Sequence, residues 1–311
     1  MSGTPKPIFA KVALLGVGLI GSSMAYAMRR AGLASHIAGY SHRPETLERA
    51  RAAGFADSLH GDPASCVRDA DFVVLATPVG SFASLAAAVA EHLTPGAIIS
   101  DVGSVKSAVI RDVGPHVPEG VHFIPAHPIA GTEQSGPEAG FAELFDGRWC
   151  ILTPPPGTDE AALETLKTFW HAMGSNVEVM DAHHHDLVLA ITSHVPHLIA
   201  YNIVGTADDL ATVTESEVIK YSAGGFRDFT RIAASDPTMW RDVFLNNREA
   251  VLEVLGRFSE DLSALQRAIR WGDGEALFNL FTRTRAIRRG IIDAGQDTAA
   301  PNFGRGKKTD Q

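Results

Sequence analysis

The sequence predicts an α/β domain built on a parallel sheet, followed by an all-helical domain, and three observations carry that expectation. Over residues 1–180 short apolar runs alternate with helical stretches, the pattern of a parallel sheet flanked by helices. Several runs are apolar at successive positions, as in Phe72-Val73-Val74-Leu75, which suits strands covered on both faces. After Met180 the strand signal stops, and Leu, Ile, Val and Phe return every three or four residues to about Leu280. At 311 residues, 45% apolar and 20% charged, the chain is longer than one core usually holds. The expected division is 1–180, 181–295 and a flexible tail at 296–311.

Strands are expected at Val12–Leu15, His36–Tyr40, Asp71–Thr77, Ala97–Asp101, Val121–Pro125, Arg148–Thr153 and Val177–Met180. The first runs directly into Gly16-Val17-Gly18-Leu19-Ile20-Gly21 and a helix that opens on small residues. Gly16 permits a tight turn, Gly18 lets the backbone approach a pyrophosphate, and Gly21 lets helix and strand pack closely. An ordinary strand-to-helix turn can carry glycines too. It is the place of this one, at the head of an alternating domain, that predicts a Rossmann-type dinucleotide site, with Leu19 and Ile20 at the helix N-terminus facing the phosphates.

The second expected strand is followed by Ser41-His42-Arg43, with no acid before Glu45 to bind a ribose 2′-hydroxyl. A hydroxyl and two potential cations suit a 2′-phosphate, which favours NADP over NAD and leaves use of both open. Arg43 could instead cover the adenine of either cofactor. Thr77 and Pro78 after one later strand, and Asp101 and Gly103 at the end of the next, complete the expected cofactor site, because ligands bind at the carboxyl ends of such strands.

His127, in Ala126-His127-Pro128, would stand at a strand end beside the nicotinamide. There an imidazole can take a proton from a hydroxyl as hydride leaves the carbon. In the helical half, Ser193 and His197 lie four apart and share a helix face, and Pro196 is expected to kink that helix. Further on come Arg227, Arg231 and Arg241, around a Gly-Gly pair and a tryptophan at 240. In a chain of net charge −9 they read as a local anion hole, since guanidinium forks match carboxylates.

Composition excludes several classes. The negative charge is spread over both halves, so no basic face offers itself to nucleic acid or to an acidic membrane; the short tail with Arg305, Lys307 and Lys308 is too small to define one. Cys66 and Cys150 cannot form a disulfide framework and have no zinc-type spacing. The first residues lack a secretion signal, and no run approaches the roughly 18 consecutive apolar residues of a membrane span. A cytoplasmic protein is expected. His183, His184 and His185 are consecutive and so point about 100° apart on a helix, which argues against a metal, and Asp181 is the expected N-cap of that helix.

At GVGLIGSS, DVGSVK, HPIAGTE, SHVPH, GGFRDFTRIA and DPTMW, in that order, the chain resembles the prephenate/arogenate (cyclohexadienyl) dehydrogenase family of tyrosine biosynthesis. The resemblance covers nearly the whole chain. It implies NAD(P)-dependent oxidative decarboxylation of prephenate or arogenate, giving 4-hydroxyphenylpyruvate or tyrosine, by a homodimer formed through the helical domain. His127 then resembles the catalytic histidine, with Ser104 hydrogen-bonded beside it. His197 and Ser193 match substrate contacts from the helical domain, Arg231 the carboxylate-binding arginine, with Arg227 and Trp240 nearby. Glu133, next to Thr132, matches an acid at the site entrance. Two other readings stay open: a two-domain 3-hydroxyacid dehydrogenase, disfavoured because Lys220 is the sole lysine between Asp181 and Ala300, and a non-enzymatic dinucleotide-sensing regulator.

Overall fold

The structure, a computed structural model, describes residues 7–209 and 224–293. The expected tail at 296–311 and Lys220 lie outside the described residues. The chain divides into two compact units, residues 1–252 and 253–311.

Six parallel strands form the first sheet: β1 (Phe9–Leu15), β2 (Ala34–Tyr40), β3 (Ser58–His60), β4 (Phe72–Leu75), β5 (Ile98–Asp101) and β6 (His122–Phe123), in the order β3-β2-β1-β4-β5-β6. The order reverses between β1 and β4, and an open α/β sheet binds its ligand at such a reversal. Successive residues feed opposite faces. Val12, Leu14, Phe72 and Val74 join a core with Met24, Met28 and Phe169. Ala13, Leu15, Val73 and Leu75 join a second core with Phe82, Val89 and Val109. That is why these strands read as unbroken apolar runs, each large side chain contributing roughly 1.5–3 kcal/mol on burial.

The helices on these faces are α1 (Leu19–Ala31), α2 (Pro44–Ala53), α3 (Pro63–Val67), α4 (Phe82–Val89), α5 (Ser107–Val113) and α6 (Glu160–Ala172). Helix α1 ends on Gly32 in the left-handed conformation, φ 65°, which closes its last carbonyls. A separate three-stranded sheet holds β7 (Ala126–Pro128), antiparallel to β8 (Trp149–Leu152), which is parallel to β9 (Asn176–Val179). The sequence reading misses β3 and β7. Both are three residues long, too short to show a period, and His127 therefore sits in the second sheet rather than at the end of a parallel strand.

From Ala182 the described chain is helical: α7 (Ala182–Leu189), a π-helical turn (Ala190–His194), α8 (Val195–Asp209), α9 (Gly224–Thr230), α10 (Pro237–Asn246), α11 (Arg248–Trp271) and α12 (Gly274–Asp293). Asp181 caps α7 as expected, accepting the His183 and His184 N–H groups at 2.9 and 3.1 Å. Trp240 and Val243 of α10 complete the second core, so this helix belongs with the sheet unit. Residues 182–209 are one helical run long and apolar enough to cross a membrane by length and composition, although no strictly apolar stretch revealed it in the sequence. Three of its polar residues, His185, Asp186 and His194, are buried in bonds to other parts of the unit.

Candidate active site

The glycine loop is built as its spacing requires. Gly16 has φ 125°, and a Cβ there would lie 2.5 Å from the Ala76 carbonyl, so no other residue fits without backbone movement. A Cβ on Gly21 would run into the Gly16 carbonyl oxygen. In front of Gly18 a Cβ would meet nothing within 4 Å, leaving the open approach that a pyrophosphate needs. The N-terminus of α1, at Leu19 and Ile20, has no side-chain cap and no acid in its first turn, so its positive end is left for an anion. These features fit a dinucleotide, held by the loop and α1.

At the end of β2, Ser41 is buried and its Oγ accepts the Arg43 N–H at 3.2 Å, while His42 and Arg43 are exposed. Thr77 Oγ1 lies 2.7 Å from Ser81 Oγ, and Pro78 caps the short 3₁₀ turn that follows. Asp101 differs from expectation. It is fully buried, accepts the Gly103 and Ala126 N–H groups at 2.7 and 3.1 Å, and forms an ion pair with Lys106, so it faces inward and not toward a cofactor. Lys106, also fully buried, donates in addition to the Ala126 carbonyl at 2.7 Å. Burial pushes the Asp101 carboxyl up and the Lys106 ammonium down, each against the attraction of the other. The pair ties the end of β5 to β7 immediately before His127. A polar pair inside a strand-turn segment is the signal sequence reasoning passed over.

His127 is buried, and its Nδ1 lies 2.9 Å from Nε2 of His185. The hydrogen bond expected from Ser104 is not among those His127 makes; its partner among the described residues is His185. Nδ1 of His185 lies 2.9 Å from Oδ1 of Asp186, which also receives the Lys106 N–H at 2.7 Å, while Oδ2 receives the Ser107 N–H at 2.9 Å. Burial, with Lys106 and two other histidines nearby, holds His127 well below the usual imidazole range. His194 is buried and its pKa is pushed down to about 4 by that burial. Its Nδ1 receives an Asn247 amide N–H at 3.0 Å, and the same amide donates to the Asp186 carbonyl at 2.8 Å.

Ser193 lies in the π-helical turn, and Pro196 is the second residue of α8. The expected kink is thus a wider turn just upstream, where Pro196 cannot donate an N–H to the preceding turn. His197 Nδ1 donates to the Ser193 carbonyl at 2.8 Å, and its ring stacks on Trp240 with centroids 3.8 Å apart. Burial lowers the His197 pKa.

Each of the three arginines has its own acid partner in this structure. Arg227 pairs with Asp228 at 3.1 Å, Arg241 with Asp242 at 2.7 Å, and Arg231 with Glu133 at 2.9 Å. Helix α9 stops at Thr230, and Arg231 opens the 3₁₀ turn that follows it directly. Thr132 is exposed and its Oγ1 accepts the Gln134 N–H at 3.2 Å. Of the three consecutive histidines, His183 and His184 are exposed and His185 is buried.

The family model for the prephenate dehydrogenase nucleotide-binding domain matches residues 24–179, and that for the prephenate dehydrogenase dimerization domain matches 181–283. The chain belongs to the prephenate dehydrogenase family. It is 41% identical to a cyclohexadienyl dehydrogenase of Zymomonas mobilis, across 90% of this chain and 96% of that one. With a prephenate dehydrogenase of Bacillus subtilis it shares 32% identity, over 94% and 78%. The crystal structure of the Aquifex aeolicus prephenate dehydrogenase with hydroxyphenyl propionate and NAD+ superposes at a TM-score of 0.82, with 36% identity over 91% of this chain and 98% of that one. Membership makes this chain an oxidoreductase with an α/β nucleotide-binding domain ahead of a helical one.

Proposed function

We propose that the enzyme oxidatively decarboxylates prephenate, arogenate or both, using NADP in preference to NAD. The observation that carries this reading is His127: a buried imidazole, neutral at physiological pH, placed by β7 and held by the end of β5 in a unit that also carries the glycine loop. A bound nicotinamide would supply the hydride acceptor. His127 takes the proton of the ring hydroxyl as hydride leaves the same carbon, which gives a ketone. The bond to the ring carboxylate then breaks, its electron pair runs through the ring to that oxygen, and the oxygen recovers the proton as a phenol. Arg231 is the cation for a substrate carboxylate, which takes the place that Glu133 holds in this structure. Trp240 and the Ser193 carbonyl fix the ring of His197 as a further contact.

NADP is favoured because Ser41, His42 and Arg43 supply a hydroxyl and two potential cations and no acid at the end of β2. We assign catalysis to residues 1–180 together with the first helices of 181–295, and a homodimer contact to the helical segment. Buried free thiols at Cys66 and Cys150 accord with a cytoplasmic enzyme. The test is the formation of reduced nicotinamide with prephenate and with arogenate, each offered NAD and NADP. Turnover with at least one cyclohexadienol, and a higher kcat/KM for NADP, is expected. No turnover with either substrate would end the reading.

A further inference from the structure

Hydrogen-bond roles around His127 follow from a single anchor. The carboxylate of Asp186 can only accept, so Nδ1 of His185 carries the hydrogen in their 2.9 Å contact. In a neutral ring Nε2 of His185 is then bare, and it accepts from Nδ1 of His127 at 2.9 Å. That leaves Nε2 of His127 bare, as the nitrogen that meets the substrate. Asp186 is itself fixed by the Lys106 and Ser107 N–H groups, and its main-chain carbonyl by Asn247.

We infer that His185 and Asp186 are positioning residues that lock His127 in the tautomer with a bare Nε2 and take over the charge it acquires in the reaction. The inference rests on the proposed function above. As the hydroxyl proton arrives on Nε2 of His127, the proton on its Nδ1 passes to Nε2 of His185. His185 is then a cation in contact with the Asp186 carboxylate, and His127 is neutral again. When the phenol forms, both protons return along the same path, so no proton is lost or gained. This resolves a difficulty in the site: His127 is too deeply buried to hold a positive charge by itself.

The groups around His127 are His185 from α7, Lys106 before α5, His194 from the π-helical turn and Cys150 from β8, with Asp101 from β5 behind Lys106 and Asp186 from α7 behind His185. The Cys150 thiol is pushed up by burial and stays neutral, and Asp101 and Lys106 pair with each other, so among the described residues Asp186 is the carboxylate bonded to the histidine pair. Burial lowers His185, while Asp186 pulls it back up.

The decisive variant is His185→Gln, whose side-chain oxygen can accept from His127 but cannot take a proton. Substrate KM and cofactor Kd are expected to stay within about threefold, while kcat falls about 10²-fold and the acid limb of kcat/KM moves to lower pH by about one unit. An unchanged acid limb, whether or not kcat falls, would reduce His185 to a packing role and overturn the inference. His127→Asn is run beside it. If that variant keeps its activity, the proposed function itself fails; if it is inactive while His185→Gln is normal, only the relay fails. Should His185→Gln not fold, imidazole ¹⁵N shifts of the unaltered enzyme decide: protonated Nδ1 and bare Nε2 in both His127 and His185 are expected, and the opposite tautomer in either ring overturns the lock.

Discussion

At the residue scale, the buried histidines link the site to acid stability. His194 is neutral in the folded protein, with a pKa near 4 against 6.5 for the free side chain. Between those values the unfolded chain binds a proton that the folded chain does not, so stability falls as pH drops from about 6.5 towards 4, by up to about 3 kcal/mol from this group. His127 and His185, both lowered, and Asp57 and Asp186, whose folded forms favour the carboxylate, act in the same direction. Urea midpoints measured from pH 7.5 to 4.5 should fall steadily in the wild type and less steeply in His194→Gln; parallel slopes would contradict the assignment. His127 stands out in the sequence because it follows the alternating strands and carries a group whose ordinary pKa is close to neutrality. Asp101 was misread for the same positional reason: only the folded chain shows Lys106 and two backbone N–H groups occupying it. His185 and Asp186 bond to each other as neighbours, but the contacts that give them, His194 and Asn247 a place in the site span 53 to 80 residues and leave no local pattern.

At the element scale, the long apolar strands and the glycine loop were readable, since each declares itself within a few residues. Gly16→Ala tests the loop: with φ at 125° and the Ala76 carbonyl in the way, the substitution is expected to cost on the order of 1–3 kcal/mol of stability and to raise cofactor KM at least tenfold. Thermal melting with and without NADP checks both effects, and an unaltered melting point with unaltered KM would contradict the geometry. The short strands β3 and β7 escaped because three residues give no periodicity. The π-helical turn escaped for a different reason. Pro196 announces a disturbed helix, but whether the disturbance becomes a kink or a widened turn depends on what His194 and Ser193 bond to.

At the scale of the molecule, apolar residues remain uncovered on the second unit: Leu262, Ile269, Phe278, Phe281 and Ile287 are all more than half exposed. A surface of this kind marks an interface, and the family's second model is described as a dimerization domain. Light scattering at micromolar concentration should report a dimer, and Phe278→Asp with Phe281→Asp should shift it toward monomer; a monomeric wild type would contradict the proposal. The sequence division at Asp181 and the compact unit ending at Leu252 answer different questions, because α10 lends Trp240 and Val243 to the core of the sheet. The whole account turns on His127 as the base of a hydride-transfer site. Steady-state turnover of His127→Asn, measured together with its cofactor Kd, tests that most directly: kcat is expected to fall by about 10²–10⁴-fold with Kd unchanged, and a variant with near-normal kcat would contradict it.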